Sequence, residues 1–383
     1  MGKLVIITEQ LYGGGVERIL QIICNHFDYS KYAVTIYTVR RDNPSFIIFP
    51  PNIIFKYVFN SSEDNSSWWN KLRCRFENKV KLFFYYNFSP SIFYQLFIRE
   101  KADVAIAFIE GYATRLVSGF PRPIKKIAWL HIELQKFHWS KVAYRNILDE
   151  KNSYLSMDKV VCVSKVVKQQ IDQLFQVSDK SIVLYNPIDP TFIFESSMIP
   201  LKEKLSVSNE RIRLVTVGTL NERKGHIRLF RSFCRLLKDG YNIELWIIGD
   251  GEKRDELYQF VEDNGLKDRI SLLGFKENPY NYLSKCDLYV CSSYAEGYNT
   301  SITEALVLGK AVVSTECSGV KEQLGEHNEW GICVTNSEEG LYGGLKQMLN
   351  PETLKHYTEQ ASIRGKDFTL EKSMNEIYQL IEE

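Results

Sequence analysis

The 383-residue sequence has few of the patterns that mark metal, redox or membrane-spanning proteins. Its eight cysteines form no CxxC pair, and neither they nor the six scattered histidines show the spacing of zinc ligands. The first apolar run, 4–7, is too short for a signal peptide. The longest aromatic-rich run without charge, 82–98, contains polar residues and a proline and falls short of the ~20 apolar residues of a spanning helix. We therefore expect a cytoplasmic protein with reduced, buried thiols.

A charge excess of either sign is also missing. The chain has 48 Lys and Arg against 47 Asp and Glu, a net charge of +1. This balance argues against binding of a polyanion through bulk charge, so nucleic acid is not an expected partner. Hydrophobic residues make up 44% and charged residues 25%, which is typical of a globular protein. The length predicts two or three domains.

Short apolar, β-branched runs alternate with helical periodicity along the chain, as in parallel sheets covered by helices on both faces. In the first half, strands are predicted at 3–8, 33–39, 53–58, 103–109, 125–131, 159–164 and 181–185. In the second half, they are predicted at 213–218, 243–249, 270–275, 288–292, 311–315 and 331–334. Apolar residues between 16 and 27 have helical spacing, which predicts a helix after the first strand.

The alternation breaks once, at 186–210, where prolines and serines occur without periodicity. We therefore predict a first domain at 1–190, a linker at 191–210 and a second domain at 211–366. Each domain is expected to be a doubly wound α/β sheet, the two facing a central cleft. In such sheets, ligands bind beyond the carboxyl ends of the strands.

The first predicted strand runs into Tyr12-Gly13-Gly14-Gly15 and then a helix. Glycines let backbone amides approach a phosphate at a helix N-terminus, although a simple tight turn also uses them. The dinucleotide fingerprint is not met, because Arg18 stands where a third glycine is expected and the second strand ends in Arg40-Arg41. The loop therefore favours a single phosphorylated ligand.

The segment 296–304 follows a predicted strand and enters a helix predicted at 302–308. Its two carboxylates, Glu296 and Glu304, suit hydroxyl groups of a sugar ring and of a ribose. The amides between them suit an anion such as a diphosphate; they belong to Asn299, Thr300 and Ser301. The alternative is a capping box formed by Ser301 and Glu304, which would leave Glu296 unexplained.

Two further strand ends carry candidate residues. Arg223 and Lys224 lie in the turn 218–225, at the start of a helix. Cations there oppose the helix dipole unless an anion is bound, although a solvated basic turn is the alternative. His131 ends the strand 125–131, where it has either a structural role or a hydrogen bond to a sugar hydroxyl.

In this order, the motifs resemble the retaining glycosyltransferases of family 4, formerly group 1. The resemblance covers nearly the whole chain, and the Glu-x7-Glu segment with its continuation is its most specific part. The segments that carry it are 13–18, 129–131, 163–164, 185–189, 218–225, 249–251, 273–275 and 296–313.

The resemblance implies the GT-B fold, with two doubly wound, Rossmann-like domains and a last helix, about 367–383, packed back on the first. It also implies transfer of a hexose from a nucleotide sugar, expected to be UDP-linked, with retention at the anomeric carbon. The second domain would hold the donor and the first would meet the acceptor. No Asp-x-Asp motif occurs, consistent with the metal-independent chemistry usual for this fold.

The resemblance assigns roles to the candidate residues. Lys224 would neutralise the leaving diphosphate, Glu296 would bind a hexose hydroxyl and His131 would contact the donor sugar. The expected donor-binding residues are Gly14, Gly15, Arg223, Phe275, Asn299, Thr300, Ser301 and Glu304. One departure is Thr219, where the family often has arginine, and we expect Arg223 to reach the phosphates instead.

The stretch 68–99 interleaves aromatic residues with a basic cluster of Lys71, Arg73, Arg75, Lys79 and Lys81. This composition predicts peripheral contact with an anionic membrane surface, which would suit a lipid-linked acceptor. The alternative is a set of helices that covers the first sheet.

We therefore expect a glycosyltransferase that extends a cell-surface glycan, in capsule, exopolysaccharide or lipopolysaccharide synthesis. It would act on a glycan or lipid-linked acceptor at the inner face of the membrane. The alternatives are a nucleotide-sugar epimerase or hydrolase of the same fold, for which no clear general base is visible, and a non-catalytic partner of another transferase.

Overall fold

The computed structural model describes residues 1–11, 14–41, 48–60, 68–203 and 210–383. The chain divides into two compact units. Unit 1 comprises Met1–Asn186 with Met374–Glu383, and unit 2 comprises Pro187–Ser373. Of the helices in the described residues, none is long and apolar enough to cross a bilayer.

The described residues of unit 1 form a seven-stranded parallel sheet with the order β3-β2-β1-β4-β5-β6-β7. In its centre, Val5 of the first strand lies opposite Thr35 on one side and Ala105 on the other. The strands are β1 (Gly2–Thr8), β2 (Tyr32–Arg40), β3 (Ile54–Phe59), β4 (Val104–Ala107), β5 (Lys125–Leu130), β6 (Lys159–Cys162) and β7 (Ser181–Val183).

The helices of unit 1 follow the strands in the alternation that parallel pairing requires. They are α1 (Gly15–Asn25), α2 (Trp68–Asn87), α3 (Pro90–Phe93), α4 (Tyr112–Ser118), α5 (Ile147–Leu155) and α6 (Lys165–Phe175). A π-helical segment, Tyr94–Ile98, continues α3, and a 3₁₀ turn, Trp139–Ala143, precedes α5.

Unit 2 has a six-stranded parallel sheet with the order β10-β9-β8-β11-β12-β13 in the described residues. Alternate residues face opposite sides, so Leu214 and Val290 pack in one core while Val215 and Tyr289 pack in the other. The strands are β8 (Ile212–Val217), β9 (Ile243–Ile248), β10 (Ile270–Gly274), β11 (Leu288–Cys291), β12 (Ala311–Thr315) and β13 (Ile332–Val334).

The helices of unit 2 cover both faces of this sheet. They are α7 (Pro190–Ser197), α8 (His226–Lys238), α9 (Arg254–Asp263), α10 (Tyr280–Leu283), α11 (Thr300–Val307), α12 (Val320–Leu324), α13 (Glu338–Met348) and α14 (Pro351–Arg364). Short 3₁₀ turns occur at Glu222–Lys224 and Gly365–Asp367.

The last helix, α15 (Leu370–Glu382), passes from unit 2 into unit 1 at Met374. Within unit 1, its Tyr378 hydroxyl accepts a hydrogen bond from the Asp28 amide at 2.8 Å. Its Leu380 carbonyl accepts one from Lys125 Nζ at 2.7 Å.

The thirteen strands predicted from the sequence form within the described residues, with ends shifted by a few residues at most. The two parallel sheets confirm the predicted fold class. The segment predicted as a linker, 191–210, differs, because α7 occupies its first part. Asp189 caps this helix by accepting from the Phe192 amide at 2.9 Å, and Pro190 fits the first turn, where no amide donor is needed. Positions 204–209 lie outside the described residues.

The strand order reverses once in each sheet, between β1 and β4 and between β8 and β11. Ligands of doubly wound sheets bind at the carboxyl ends of the strands at such reversals. In unit 1, these strands lead to Gly14 and to Glu110. In unit 2, they lead to the turn 218–225 and to the loop 292–296.

Candidate active site

The basic turn after β8 and the loop after β11 are joined through their backbones. The Tyr294 amide donates to the Arg223 carbonyl at 2.7 Å, and Ser292 Oγ donates to the Lys224 carbonyl at 2.9 Å. The adjacent strands β8 and β11 deliver both segments to the same edge of the sheet. The arrangement brings the two basic side chains beside the acidic residue of the loop.

Glu296 is the point at which these side chains meet. Its Oε1 accepts from Lys224 Nζ at 2.7 Å and from Ser293 Oγ at 2.6 Å. Its Oε2 accepts from Arg223 Nη1 at 2.7 Å. The carboxylate is buried, while both cations remain partly exposed. The structure thus brings Arg223, Lys224 and Glu296 into one cluster with an excess of one positive charge.

The electrostatics of this cluster keep Glu296 ionised. Burial by itself would raise the pKa of the carboxyl group, but the charges of Lys224 and Arg223 and the hydrogen bonds from Lys224 and Ser293 lower the pKa to about 2. The same carboxylate raises the pKa of Arg223 against the effect of burial. Glu296 and Arg223 are therefore both charged at neutral pH.

Helix α11 begins at Thr300, two residues before its predicted start. Asn299 is its N-cap and accepts from the Ser301 amide at 3.1 Å, so the capping box of Ser301 and Glu304 is wrong. Of the three predicted anion-binding amides, that of Ser301 is already used. Among the described residues, the amides of Asn299 and Thr300 have no acceptor, and they lie where the helix dipole favours an anion.

The two remaining donor-side candidates lie in separate elements of unit 2. Glu304, in α11, is buried, and its Oε1 accepts from the Tyr280 hydroxyl at 3.1 Å. Phe275 follows β10 directly and is half-exposed. A buried carboxylate with a neutral hydrogen-bond partner keeps its capacity to accept further hydroxyl donors.

In unit 1, Gly14 is the N-cap of α1 and Gly15 is its first residue. Tyr12 and Gly13 lie outside the described residues. A Cβ atom on Gly14 would lie 2.6 Å from Glu17 Oε2, so the Glu17 carboxylate lies against this helix end. An acidic side chain in the first turn interacts favourably with the helix dipole. The N-terminus of α1 is thereby partly occupied by a residue of its own helix.

His131 lies directly after β5, with its ring stacked against Trp129 at a centroid distance of 6.1 Å and near Phe108 at 5.1 Å. Burial lowers the pKa of His131 to about 3, although the nearby Phe108 backbone acts to raise this pKa. The ring is therefore neutral. Neither ring nitrogen makes a hydrogen bond of normal geometry within the described residues. A neutral imidazole with unsatisfied nitrogens is suited to bind a hydroxyl group.

Glu110 holds His131 in place and was not predicted from the sequence. Its Oε2 accepts from the His131 amide at 3.0 Å, and its Oε1 accepts from Trp139 Nε1 at 2.8 Å. Burial raises the pKa of Glu110. Its position directly after the predicted strand 103–109 could have indicated Glu110 as a site residue, because ligands bind at such strand ends. Ser293 and Tyr280 were missed as well, because nothing in their local sequence indicates a carboxylate partner.

Helix α2 has two different faces. Cys74 and Tyr85 are buried, and the Tyr85 hydroxyl donates to the Ala143 carbonyl at 2.9 Å, so one face packs against the rest of unit 1. The other face exposes large apolar side chains, namely Trp68, Trp69, Leu72, Phe76, Leu82 and Phe83.

Three basic residues, Lys71, Arg75 and Lys79, are exposed along α2 at intervals of four. Of the other two members of the predicted cluster, Arg73 is exposed but paired within the helix, and Lys81 is partly buried. Arg73 Nε pairs with Glu77 at 2.8 Å, and Lys81 Nζ donates to the Val58 carbonyl at 2.6 Å. We call the exposed apolar residues together with Lys71, Arg75 and Lys79 the α2 face.

Within the described ranges, no group of three or more His, Cys, Asp or Glu side chains is placed to hold a metal ion. The cysteines of these ranges are free thiols, most of them buried. The cluster around Glu296 instead offers two cations and a helix N-terminus to a ligand.

Known families match both halves of the chain. The model described as "Glycosyltransferase Family 4" matches residues 13–192, and the one described as "Glycosyl transferases group 1" matches residues 199–364. Among solved structures, HepE from Anabaena, in complex with UDP and glucose, superposes with a TM-score of 0.77 over 100% of both chains at 19% identity. WaaG, involved in lipopolysaccharide biosynthesis, superposes with a TM-score of 0.67 over 99% of both chains at 16% identity.

Two curated relatives act in glycan synthesis. The N-acetylgalactosamine-N,N'-diacetylbacillosaminyl-diphospho-undecaprenol 4-alpha-N-acetylgalactosaminyltransferase of Campylobacter jejuni is 34% identical over 56% of this chain and 57% of its own length. The amylovoran biosynthesis glycosyltransferase AmsK of Erwinia amylovora is 28% identical over 60% of this chain and 57% of its own length. The chain thus spans somewhat over half the length of these two relatives.

The family models match both halves of the chain. Each half contains a doubly wound sheet, and the cluster around Glu296 follows the strands at which the order of the second sheet reverses. The chain belongs to the group 1, family 4 glycosyltransferases and has the GT-B fold.

Proposed function

We propose that the protein is a retaining hexosyltransferase that moves a sugar from a UDP-sugar to a glycan or lipid-linked acceptor in cell-surface polysaccharide synthesis. The observation that carries the proposal is the contact of Arg223 and Lys224 with Glu296 beside the N-terminus of α11. This arrangement offers positive charge for a diphosphate and a carboxylate for sugar hydroxyls in one place.

In the proposed reaction, the bond between the anomeric carbon and the diphosphate breaks while a bond to the acceptor oxygen forms, and the proton of the acceptor hydroxyl passes to the departing diphosphate. Negative charge develops on the departing diphosphate. Lys224 stabilises this charge directly. Arg223 supplies the second positive charge, in place of the arginine that the family often has at the position of Thr219. The amides of Asn299 and Thr300 add fixed dipoles. Preorganised charge of this kind usually contributes more to catalysis than any other single effect. The transfer needs no metal ion.

The other predicted residues bind the ends of the donor. Glu304 accepts hydrogen bonds from the ribose, and its existing partner Tyr280 fixes the carboxylate. Phe275 lies beside the base. Glu296 accepts from a hexose hydroxyl, which competes with Arg223 for the carboxylate.

In unit 1, we assign contact with the donor sugar to His131 and the approach to the phosphate to Gly14 and Gly15. The neutral, unsatisfied imidazole supports the first assignment. The carboxylate of Glu17 would have to move from Gly14 for the second. The surface-polysaccharide role is supported by the names of the relatives, and the UDP donor by the UDP bound to HepE.

The donor assignment predicts selective stabilisation by UDP. At a UDP concentration 100 times its Kd, the free energy of unfolding rises by about 2.7 kcal/mol. At about 2–4 °C per kcal/mol for a domain the size of unit 2, its melting temperature should rise by roughly 5–10 °C, measured by thermal shift in EDTA. Equal shifts with GDP and ADP, or none with UDP, would contradict the assignment. Glu304→Gln should reduce the shift, whereas Glu339→Gln, an exposed carboxylate of α13, should not.

The rival functions differ in their products. An epimerase or hydrolase releases epimer or free sugar from UDP-sugars without an acceptor, whereas the proposed transferase leaves the sugar on the donor. A non-catalytic partner would leave the cellular glycan unchanged when Glu296 is replaced by alanine. These outcomes separate the three classes.

The acceptor proposal includes docking of the α2 face on an anionic membrane. Its apolar side chains suit the headgroup boundary of a bilayer, and Lys71, Arg75 and Lys79 suit anionic lipids. A lipid-linked acceptor is presented at such a surface. The diphospho-undecaprenol in the name of the Campylobacter relative supports an acceptor of this kind.

Membrane docking predicts that the protein sediments with vesicles containing 30% phosphatidylglycerol and not with vesicles of phosphatidylcholine alone. Replacing Lys71, Arg75 and Lys79 by Glu should weaken binding by more than 100-fold, because each basic residue contributes about 1 kcal/mol. Replacing the exposed Lys355, Lys366 and Lys372 by Glu changes the net charge equally and should have little effect. Equal losses in both triple variants would show that net charge, and not the α2 face, drives sedimentation.

A further inference from the structure

Arg228 is a buried cation in an unfavourable position. It lies in the first turn of α8 and is 3% exposed. A positive charge at a helix N-terminus opposes the helix dipole, and burial of a charge costs free energy unless it is compensated. Among the described residues, no carboxylate lies within ion-pair distance of it. Its guanidinium must therefore be stabilised by neutral groups.

Those neutral groups belong to the loop that carries Glu296 and to its support. Arg228 Nε donates to the Ser292 carbonyl at 2.8 Å, and Nη2 donates to the Ser293 carbonyl at 2.6 Å. Nη1 donates to Asn336 Oδ1 at 2.7 Å. The guanidinium also stacks on the Tyr294 ring, 3.8 Å from its centroid. The planar fork of arginine makes these contacts simultaneously, which an ammonium group cannot do.

The residues around Arg228 complete the support. Asn336 Nδ2 donates to the Tyr294 carbonyl at 2.9 Å, and Thr315 Oγ1 donates to the Ser293 carbonyl at 2.7 Å. Arg223 Nη1 donates to the Ala295 carbonyl at 2.8 Å. Each of the four carbonyl oxygens before Glu296 thus accepts a side-chain hydrogen bond. A loop backbone held at four consecutive residues fixes where the next carboxylate lies.

Gly225 shows how closely the basic turn approaches this loop. Its φ is +63°, and a Cβ atom on it would lie 2.3 Å from the Ser292 carbonyl oxygen and 2.9 Å from Arg228 Nε. Only glycine has both this conformation and the space. The turn with Lys224, the guanidinium of Arg228 and the loop therefore pack against one another without a spacer.

We propose that Arg228 is a positioning residue of the donor site, which fixes the loop 292–296 so that Glu296 meets Lys224 and Arg223. Arg228 acts on the donor only through this loop. The inference rests on the proposed function for its catalytic consequence, but the position of Glu296 is a property of the protein alone.

The test is a double-mutant cycle of Arg228→Lys with Glu296→Gln. Arg228→Lys should lower kcat/KM for the UDP-sugar by about tenfold or more, because a single ammonium group leaves carbonyls of the loop without donors. In the Glu296→Gln background, the same substitution should lower kcat/KM by less than about threefold. Equal losses in both backgrounds, or no loss in either, would overturn the proposal. Arg235→Lys, an exposed arginine of the same helix, is the matched control and should change neither value.

A second readout does not depend on activity. The pKa of the Glu296 carboxyl, about 2 in the wild type, should rise in Arg228→Lys when followed by NMR in protein with labelled glutamate. An unchanged pKa would overturn the positioning role. If the wild type binds no nucleotide sugar and the pKa still rises, the proposed function fails while the positioning role stands. If Arg228→Lys does not fold, Asn336→Ser removes a donor from the same loop and enters the same cycle.

Discussion

Replacing Lys224 with methionine should lower kcat for sugar transfer by about 10²–10³-fold, the usual cost of removing one preorganised group from a developing anion. The ammonium group lies 2.7 Å from Glu296, at the edge where the strand order reverses. Methionine keeps an unbranched, apolar stem of similar length, so the turn 218–225 retains its packing. Arg223 still pairs with Glu296 in the variant. The loss therefore reports the charge of Lys224 itself.

The same variant should bind UDP more weakly than the wild type, because one of two cations near the diphosphate is gone. Steady-state kinetics with the UDP-sugar and calorimetric titration with UDP measure both effects. Lys346→Met is the matched control, since Lys346 lies in α13 and pairs with Asp239 at the surface. A kcat close to that of the wild type would show that Lys224 does not stabilise the leaving group.

The strands were predictable because each depends on a short apolar run that is buried on both faces of a parallel sheet. The reversals of strand order were not, because they depend on pairings between distant segments. Lys224 and Glu296 are 72 residues apart and meet only because β8 and β11 are neighbours. The spacing of Glu296 and Glu304 indicated the site, whereas the ion pairs within it required the topology.

Local competition explains the errors at helix ends. Asn299 and Ser301 are both good N-caps, and the sequence pattern favoured the serine because a glutamate follows three residues later. The structure has Asn299 as the cap, and Glu304 is hydrogen-bonded to Tyr280 instead. At Pro190, residues typical of a linker begin a helix because Asp189 caps it.

The basic cluster at 71–81 could be read only in part. Its composition is visible in the sequence, but helical geometry sends Lys81 to the Val58 carbonyl and leaves Lys71, Arg75 and Lys79 exposed. Burial lowers the pKa of Lys81, as expected for an ammonium group turned towards the protein. The structure therefore removes Lys81 from the candidate membrane contact, while Arg73 is exposed but paired with Glu77 on the same helix.

Replacing Glu296 with glutamine should separate binding from catalysis. In the wild type, the carboxylate holds both Lys224 and Arg223, and a diphosphate has to compete with it for these cations. The variant removes this competitor, so UDP should bind more tightly. Transfer should still fall by about 10²-fold or more, because the sugar hydroxyl loses a charged acceptor that amide oxygen replaces poorly.

The acid dependence of stability gives this prediction a second measurement. Glu296 has a pKa of about 2 in the folded protein against an ordinary value of 4.5, so it contributes stability above pH 4.5 that is lost as the pH falls towards 2. At pH 7, the free energy of unfolding of the wild type should exceed that of Glu296→Gln by about 3 kcal/mol. Urea unfolding should show this difference narrowing below pH 4.5. Glu339→Gln, which removes an exposed carboxylate, should show a much smaller difference. Tighter UDP binding with a lower kcat would show that Glu296 acts on the sugar of the donor. A parallel loss of UDP affinity and kcat would show that Glu296 instead holds Lys224 and Arg223 in place for the diphosphate.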